Sequence, residues 1–185
     1  RLGWDHDRLN APEIAARAVE AGVQMITVHG RTRQQFYKGQ ADWTAIRRVR
    51  EAIRVPLVAN GDITDAASAR QALAASGADA VMIGRGAQGA PWQPQAVADA
   101  MAGRAVTLPS PRERLDLLAE QYDAMLAFYG RDIGLRVARK HIGWTLDRIP
   151  GAAPLRQRLM RADEPATVLS ALKTWQTETA LERAA

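Results

Sequence analysis

Three short clusters carry side chains suited to holding an anionic, ring-bearing ligand. Gly84-Arg85-Gly86-Ala87-Gln88-Gly89 follows one apolar run and precedes a helix-like stretch. Glycines there let the backbone approach a ligand closely, and free N–H groups at such a turn can bind phosphate. Arg85 adds charge-assisted hydrogen bonds. Asn60-Gly61-Asp62 closes the apolar run before it, and His29-Gly30-Arg31-Thr32-Arg33 closes the one before that. His29 can hydrogen-bond the polar edge of a flavin or a base, while Arg31 and Arg33 can meet phosphate. Each cluster alone also suits a plainer role, a tight turn or a solvated basic loop.

A fourth cluster lies further on, in Arg136-Val137-Ala138-Arg139-Lys140-His141-Ile142-Gly143-Trp144. Arg136, Arg139 and Lys140 fall at i, i+3 and i+4, so a helix would gather them on one cationic face able to follow an RNA backbone. Val137, Ile142 and Trp144 would fill the core side. A solvated basic face explains the same spacing, and His141 equally suits a core position. The chain has three His and no Cys, and no His pair has metal-ligand spacing, so no metal site is expected. The lack of Cys excludes disulfides and a Cys nucleophile within these residues and fits a cytoplasmic protein. The formal charge of +5 suits an anionic partner such as RNA, and equally a protein that is simply Arg-rich and basic. No apolar run approaches the ~20 residues that span a bilayer.

The elements that must position these clusters alternate. Asn10-Ala11-Pro12-Glu13 reads as a capping box opening a helix that Gly22 closes. Val23–Val28 suits a buried strand. Asp42 caps a second helix with Ile46, Val49 and Ile53 on one face, and 55–59 is a second strand. Thr64 or Asp65 caps a third helix, and 80–83 is a third strand. Such β-α-β-α-β order implies a parallel sheet. Polar residues gathered where strands end favour a barrel over a doubly wound sheet. A (β/α)8 barrel needs about 250 residues, so these strands are expected to be its last ones, with the N-terminal half-barrel missing. Residues 103–111 read as a linker. Beyond them Ser110-Pro111-Arg112-Glu113 forms a capping box, and Leu115, Leu118, Tyr122, Met125 and Tyr129 keep helical spacing up to Gly130. Further helices are expected over 132–148, 152–161 and 165–182, together a small all-α helical bundle.

Taken in order, His-Gly-Arg-Thr-Arg, Asn-Gly-Asp-Ile, Met-Ile-Gly-Arg-Gly-Ala-Gln-Gly-Ala-Pro-Trp and Arg-Lys-His-Ile-Gly-Trp resemble the bacterial tRNA-dihydrouridine synthases along nearly the whole chain. The resemblance implies an α/β chain: the C-terminal half of an FMN-binding TIM (β/α)8 barrel over 1–108, then a helical tRNA-binding domain over 109–185. It implies an FMN-dependent enzyme that uses NADPH to reduce the C5–C6 bond of uridine in tRNA. It places His29 near the flavin, Asn60, Gly61 and Asp62 in the first phosphate-side loop, and Gly84 and Arg85 in the second. Arg136, Arg139, Lys140 and His141 fall in the part that such enzymes use against tRNA.

Two of the resembling family's residues have no match. Its proton-donating Cys and its flavin-contacting Lys map upstream of Arg1, so no catalytic residue is assigned here and the chain alone is expected to be inactive. Two alternatives share the motifs. One is another FMN- or phosphate-binding TIM-barrel oxidoreductase acting on a small molecule, which would have no need of the basic tail. The other is a non-catalytic RNA-binding module.

Overall fold

The structure, a computed structural model, describes residues 1–182. These fold as two compact units, residues 1–87 with 93–106, and residues 88–92 with 107 onward.

The first unit alternates helix and strand: α1 (Ala11–Glu20), β1 (Ile26–His29), α2 (Trp43–Ala52), β2 (Leu57–Asn60), α3 (Ala66–Ser76), β3 (Ala80–Met82) and α4 (Gln93–Met101). The strands pair in parallel in the order β1-β2-β3. Because side chains alternate along a strand, the register sorts them into two faces. Val28, Leu57 and Ala59 are buried with Ile46, Val49 and Ile53 of the α2 segment. On the other face Thr27, Ala80 and Met82 are exposed, and Val58 and Asn60 are half-buried. This sheet is therefore covered on one side by residues of the first unit and open on the other.

Local sequence explains most element ends. Asp42 accepts the Ala45 N–H at 2.9 Å and starts α2. Asp65, not Thr64, caps α3 in a reciprocal box with Ser68, and Gly77 ends that helix at φ +68°. Two expectations fail. Asn10 makes no side-chain cap, because its backbone (φ −94°, ψ 11°) is not the extended form that aims a cap at the first turn. The Ala11 N–H donates to the Leu2 carbonyl instead. Nor does a buried strand begin at Val23. The Val23 N–H closes α1 by donating to Ala18 O, and Val23 and Met25 are exposed.

The second unit holds α5 (Pro111–Tyr129), α6 (Arg131–Leu146), α7 (Ala153–Leu159) and α8 (Pro165–Glu182). Ser110 and Glu113 form the expected capping box. Leu115, Leu118, Tyr122 and Met125 pack with Ala138, Ile142 and Leu146 of α6, Leu155 and Leu159 of α7, and Val168 and Leu172 of α8. Tyr129 departs from the expected stripe. It is the last residue of α5, is exposed, and meets Phe128 edge-on.

Candidate functional site

The parallel register lines up the strands' C-terminal ends. His29 pairs with Asn60, and Asn60 pairs with Met82. Backbone pairing thus sets the His29 and Asn60 side chains on one sheet face, in one row, beside the loop that begins at Gly84. The Asn60 amide donates to Met82 O at 2.8 Å, which fixes its plane.

His29 is held as a neutral ring. Its Nδ1 accepts the Arg31 backbone N–H at 3.2 Å, so the ring proton sits on Nε2 as a donor. Burial lowers its pKa to about 4, helped by the cationic Arg1 and Arg31 and opposed by Asp62. Gly61 lies against this ring. It has φ +114°, and a Cβ there would fall 3.2 Å from His29 Cε1 and 2.7 Å from Ala41 Cβ. Only glycine suits both the backbone and the space.

The glycines of the last loop divide by role. A Cβ on Gly86 would strike Ile63 O at 2.7 Å, and one on Gly89 would strike Trp144 O at 2.2 Å. Those two approach protein backbone. A Cβ on Gly84 would meet nothing nearer than Asn60 Nδ2 at 4.0 Å. Exposed Gly84 therefore leaves open space bordered by the Asn60 amide and followed directly by the exposed Arg85.

Arg31 is buried, so the open-loop phosphate contact considered for it is not available. Its Nε donates to Lys38 O at 3.1 Å, and Nη2 donates to Gly39 O at 2.7 Å and to Asp62 Oδ2 at 2.6 Å. Asp62 Oδ2 also accepts the Ala41 N–H at 2.8 Å, and Oδ1 accepts from Arg85 Nη2 at 3.3 Å. Burial raises the Asp62 pKa, but the Arg31 and Ala41 hydrogen bonds and the nearby guanidinium charges outweigh it, and the carboxyl stays below its ordinary range. The Arg85 guanidinium lies 5.0 Å from the Tyr37 ring centre. Trp43 Nε1 donates to Gly61 O at 2.8 Å. Tyr37 and Trp43, and the internal commitment of Arg31, carried no sequence signal, because each depends on partners distant in the chain.

In the second unit the four basic-cluster residues differ in environment. Lys140 and Arg136 are exposed, and Arg136 Nε donates to Asp132 O at 3.3 Å. Arg139 is half-buried and paired with Asp163 at 3.0 Å. His141 is half-buried, 3.2 Å from Gln121 and edge-on to Trp144, and burial followed by the Lys140 charge lowers its pKa. The spacing thus gathers charge on α6, but His141 is drawn toward neighbouring side chains.

Parallel strands that each close on a polar, glycine-bearing loop define an α/β protein whose candidate ligand groups sit at strand C-termini. Residues 1–184 match the family model described as dihydrouridine synthase, and the chain belongs to that family. It is 61% identical over 175 residues to a probable tRNA-dihydrouridine synthase of Rhodobacter capsulatus, covering 94% of this chain and 53% of that protein. A probable tRNA-dihydrouridine synthase of Rickettsia conorii is 47% identical over 169 residues, 91% of this chain and 51% of its own length. The tRNA-dihydrouridine synthase B of Xanthomonas axonopodis is 45% identical over 166 residues, 89% of this chain and 50% of its own length. The chain spans about half the length of these curated relatives. Among the described residues, no helix is long and apolar enough to cross a membrane.

Proposed function

We propose that this chain is the cofactor-anchoring and RNA-facing part of an FMN-dependent tRNA-dihydrouridine synthase that draws on NADPH and acts in the cytoplasm. The observation that carries the proposal is the open cradle at Gly84. Space for a ligand lies there beside an amide donor on Asn60 and a half-exposed guanidinium on Arg85, while the neighbouring glycines are filled by protein. That donor set fits a phosphate. His29, neutral and with its Nε2–H available, fits a polar acceptor on a flavin ring.

The open sheet face supports the barrel. Parallel sheets are normally covered on both faces. Exposed Thr27, Ala80 and Met82 fit the inward-facing side of a (β/α)8 barrel that further strands complete. Residues 1–108 would supply its last strands, and 109–185 the helical domain whose α6 face, with Lys140 and Arg136 outermost, meets tRNA.

Bound flavin would supply the hydride that reduces the C5–C6 bond of uridine to 5,6-dihydrouridine. The residues present would bind and orient it. Arg85, the Gly84 backbone and the Asn60 amide would hold phosphate, and His29 would fix the ring side. The resembling family uses a Cys as general acid for the uracil carbon; this chain has none, and none of its residues is assigned that role. The target base has to leave its stack to reach the site. The present chain alone is expected to form no dihydrouridine.

Flavin retention in the purified full-length protein is the direct test. Bound FMN that NADPH bleaches, with both lost on Arg85→Ala, is the expected result. A colourless protein that binds tRNA would instead support an RNA-binding module.

A further inference from the structure

We propose that Asp62 binds no ligand itself and acts as the positioning residue that aims Arg85 at the cofactor phosphate; this rests on the FMN proposal above. Sequence grouped Asp62 with the phosphate loop, but a carboxylate is a poor neighbour for a phosphate. The geometry gives it another task. One carboxylate joins all three strand-end loops: Oδ2 takes Arg31 Nη2 and the Ala41 N–H from the loop after β1, and Oδ1 takes Arg85 Nη2 from the loop after β3.

Arg31 makes this arrangement possible. It is 2% exposed and is further anchored by the Lys38 and Gly39 carbonyls, so its charge compensates Asp62 and does not reach solvent. Arg31, Asp62 and Arg85 together carry one net positive charge, and Arg85 is the exposed end of the set. Tyr37 supports the Arg85 guanidinium from a second side. Asp62 holds this geometry at φ +55°, directly after Gly61 at φ +114°. A non-glycine residue at positive φ persists where its surroundings over-determine it. Here the determinants are the three donors that converge on the side chain.

The sign of one substitution separates positioning from bulk electrostatics. Asp62→Asn keeps size, keeps an acceptor oxygen and tolerates positive φ. It removes a negative charge near the phosphate, so a purely electrostatic role predicts tighter FMN binding. Positioning predicts weaker binding, because Arg85 and Arg31 lose the anion between them. In the full-length protein stripped of flavin, we expect Asp62→Asn to weaken FMN about tenfold, the scale of one charge-assisted hydrogen bond. Riboflavin, which lacks the phosphate, should bind within about twofold of the parent protein, so general loss of structure is read separately. In an Arg85→Ala background the same change should add little. Unchanged or tighter FMN binding, or an equal loss of both flavins, overturns the proposal while leaving the cofactor assignment intact. If the parent protein binds FMN no better than riboflavin, the phosphate assignment itself fails, and this role falls with it.

Discussion

Gly84 and Gly86 stand two residues apart in one motif and are predicted to respond in opposite ways. Alanine at 84 enters open space, so stability should change by no more than about 0.5 kcal/mol while FMN affinity falls. Alanine at 86 meets the Ile63 carbonyl, and such overpacking should cost about 1–3 kcal/mol. Thermal unfolding and flavin titration of the two variants separate the effects. His29 gives a pH prediction. Its folded pKa of about 4 lies below the ordinary value of 6.5, so between those values the unfolded chain holds more proton. The stability associated with neutral His29 is therefore present above pH 6.5 and is lost as pH falls toward 4. His29→Gln should flatten that part of the melting-temperature profile, so the difference between the two profiles falls in the same pH window. Sequence marked His29, Asn60 and Gly84 because their chemistry is local to strand ends. It did not show the meeting of Arg31 and Asp62, because a contact 31 residues apart is made by the fold.

Elements were legible where a side chain acts on its own neighbourhood. Ser110 with Glu113, Asp65 with Ser68, and Asp42 with Ala45 each close a loop of three residues, whereas the same spacing at Asn10 and Glu13 makes no cap because the backbone of Asn10 is not extended. Ser110→Ala should lower the stability of the second unit by about 1 kcal/mol, measured as a shift in its unfolding transition. Strand starts were less legible. A strand begins where a partner pairs with it, and β1 begins at Ile26 opposite Leu57, not at Val23 where the apolar run starts. The α6 cations form a further element-scale case. Arg139→Glu breaks the Asp163 pair and should destabilise the second unit, whereas Lys140→Glu at an exposed site should not. In the full-length protein Lys140→Glu should instead weaken tRNA binding and reduce its salt dependence by about one unit of slope. A salt series of binding isotherms reads this directly.

At the scale of the molecule, two structural units share one chain of the dihydrouridine synthase family. The first gathers polar strand ends around an open cradle, and the second carries basic groups on a helix. Repeated strand–loop order made the α/β class readable. An open sheet face accords with strands expected to be the last of a barrel, whose inward side further strands would cover. Neither unit holds a Cys, so no proton donor of that kind is assigned to this chain, and its proposed part is anchoring. The most direct test is mass spectrometry of unmodified tRNA after incubation with the full-length protein, FMN and NADPH. A uridine that gains two hydrogens, dependent on FMN and lost with Arg85→Ala, is the predicted result. Unaltered tRNA from a folded, flavin-loaded protein would contradict it.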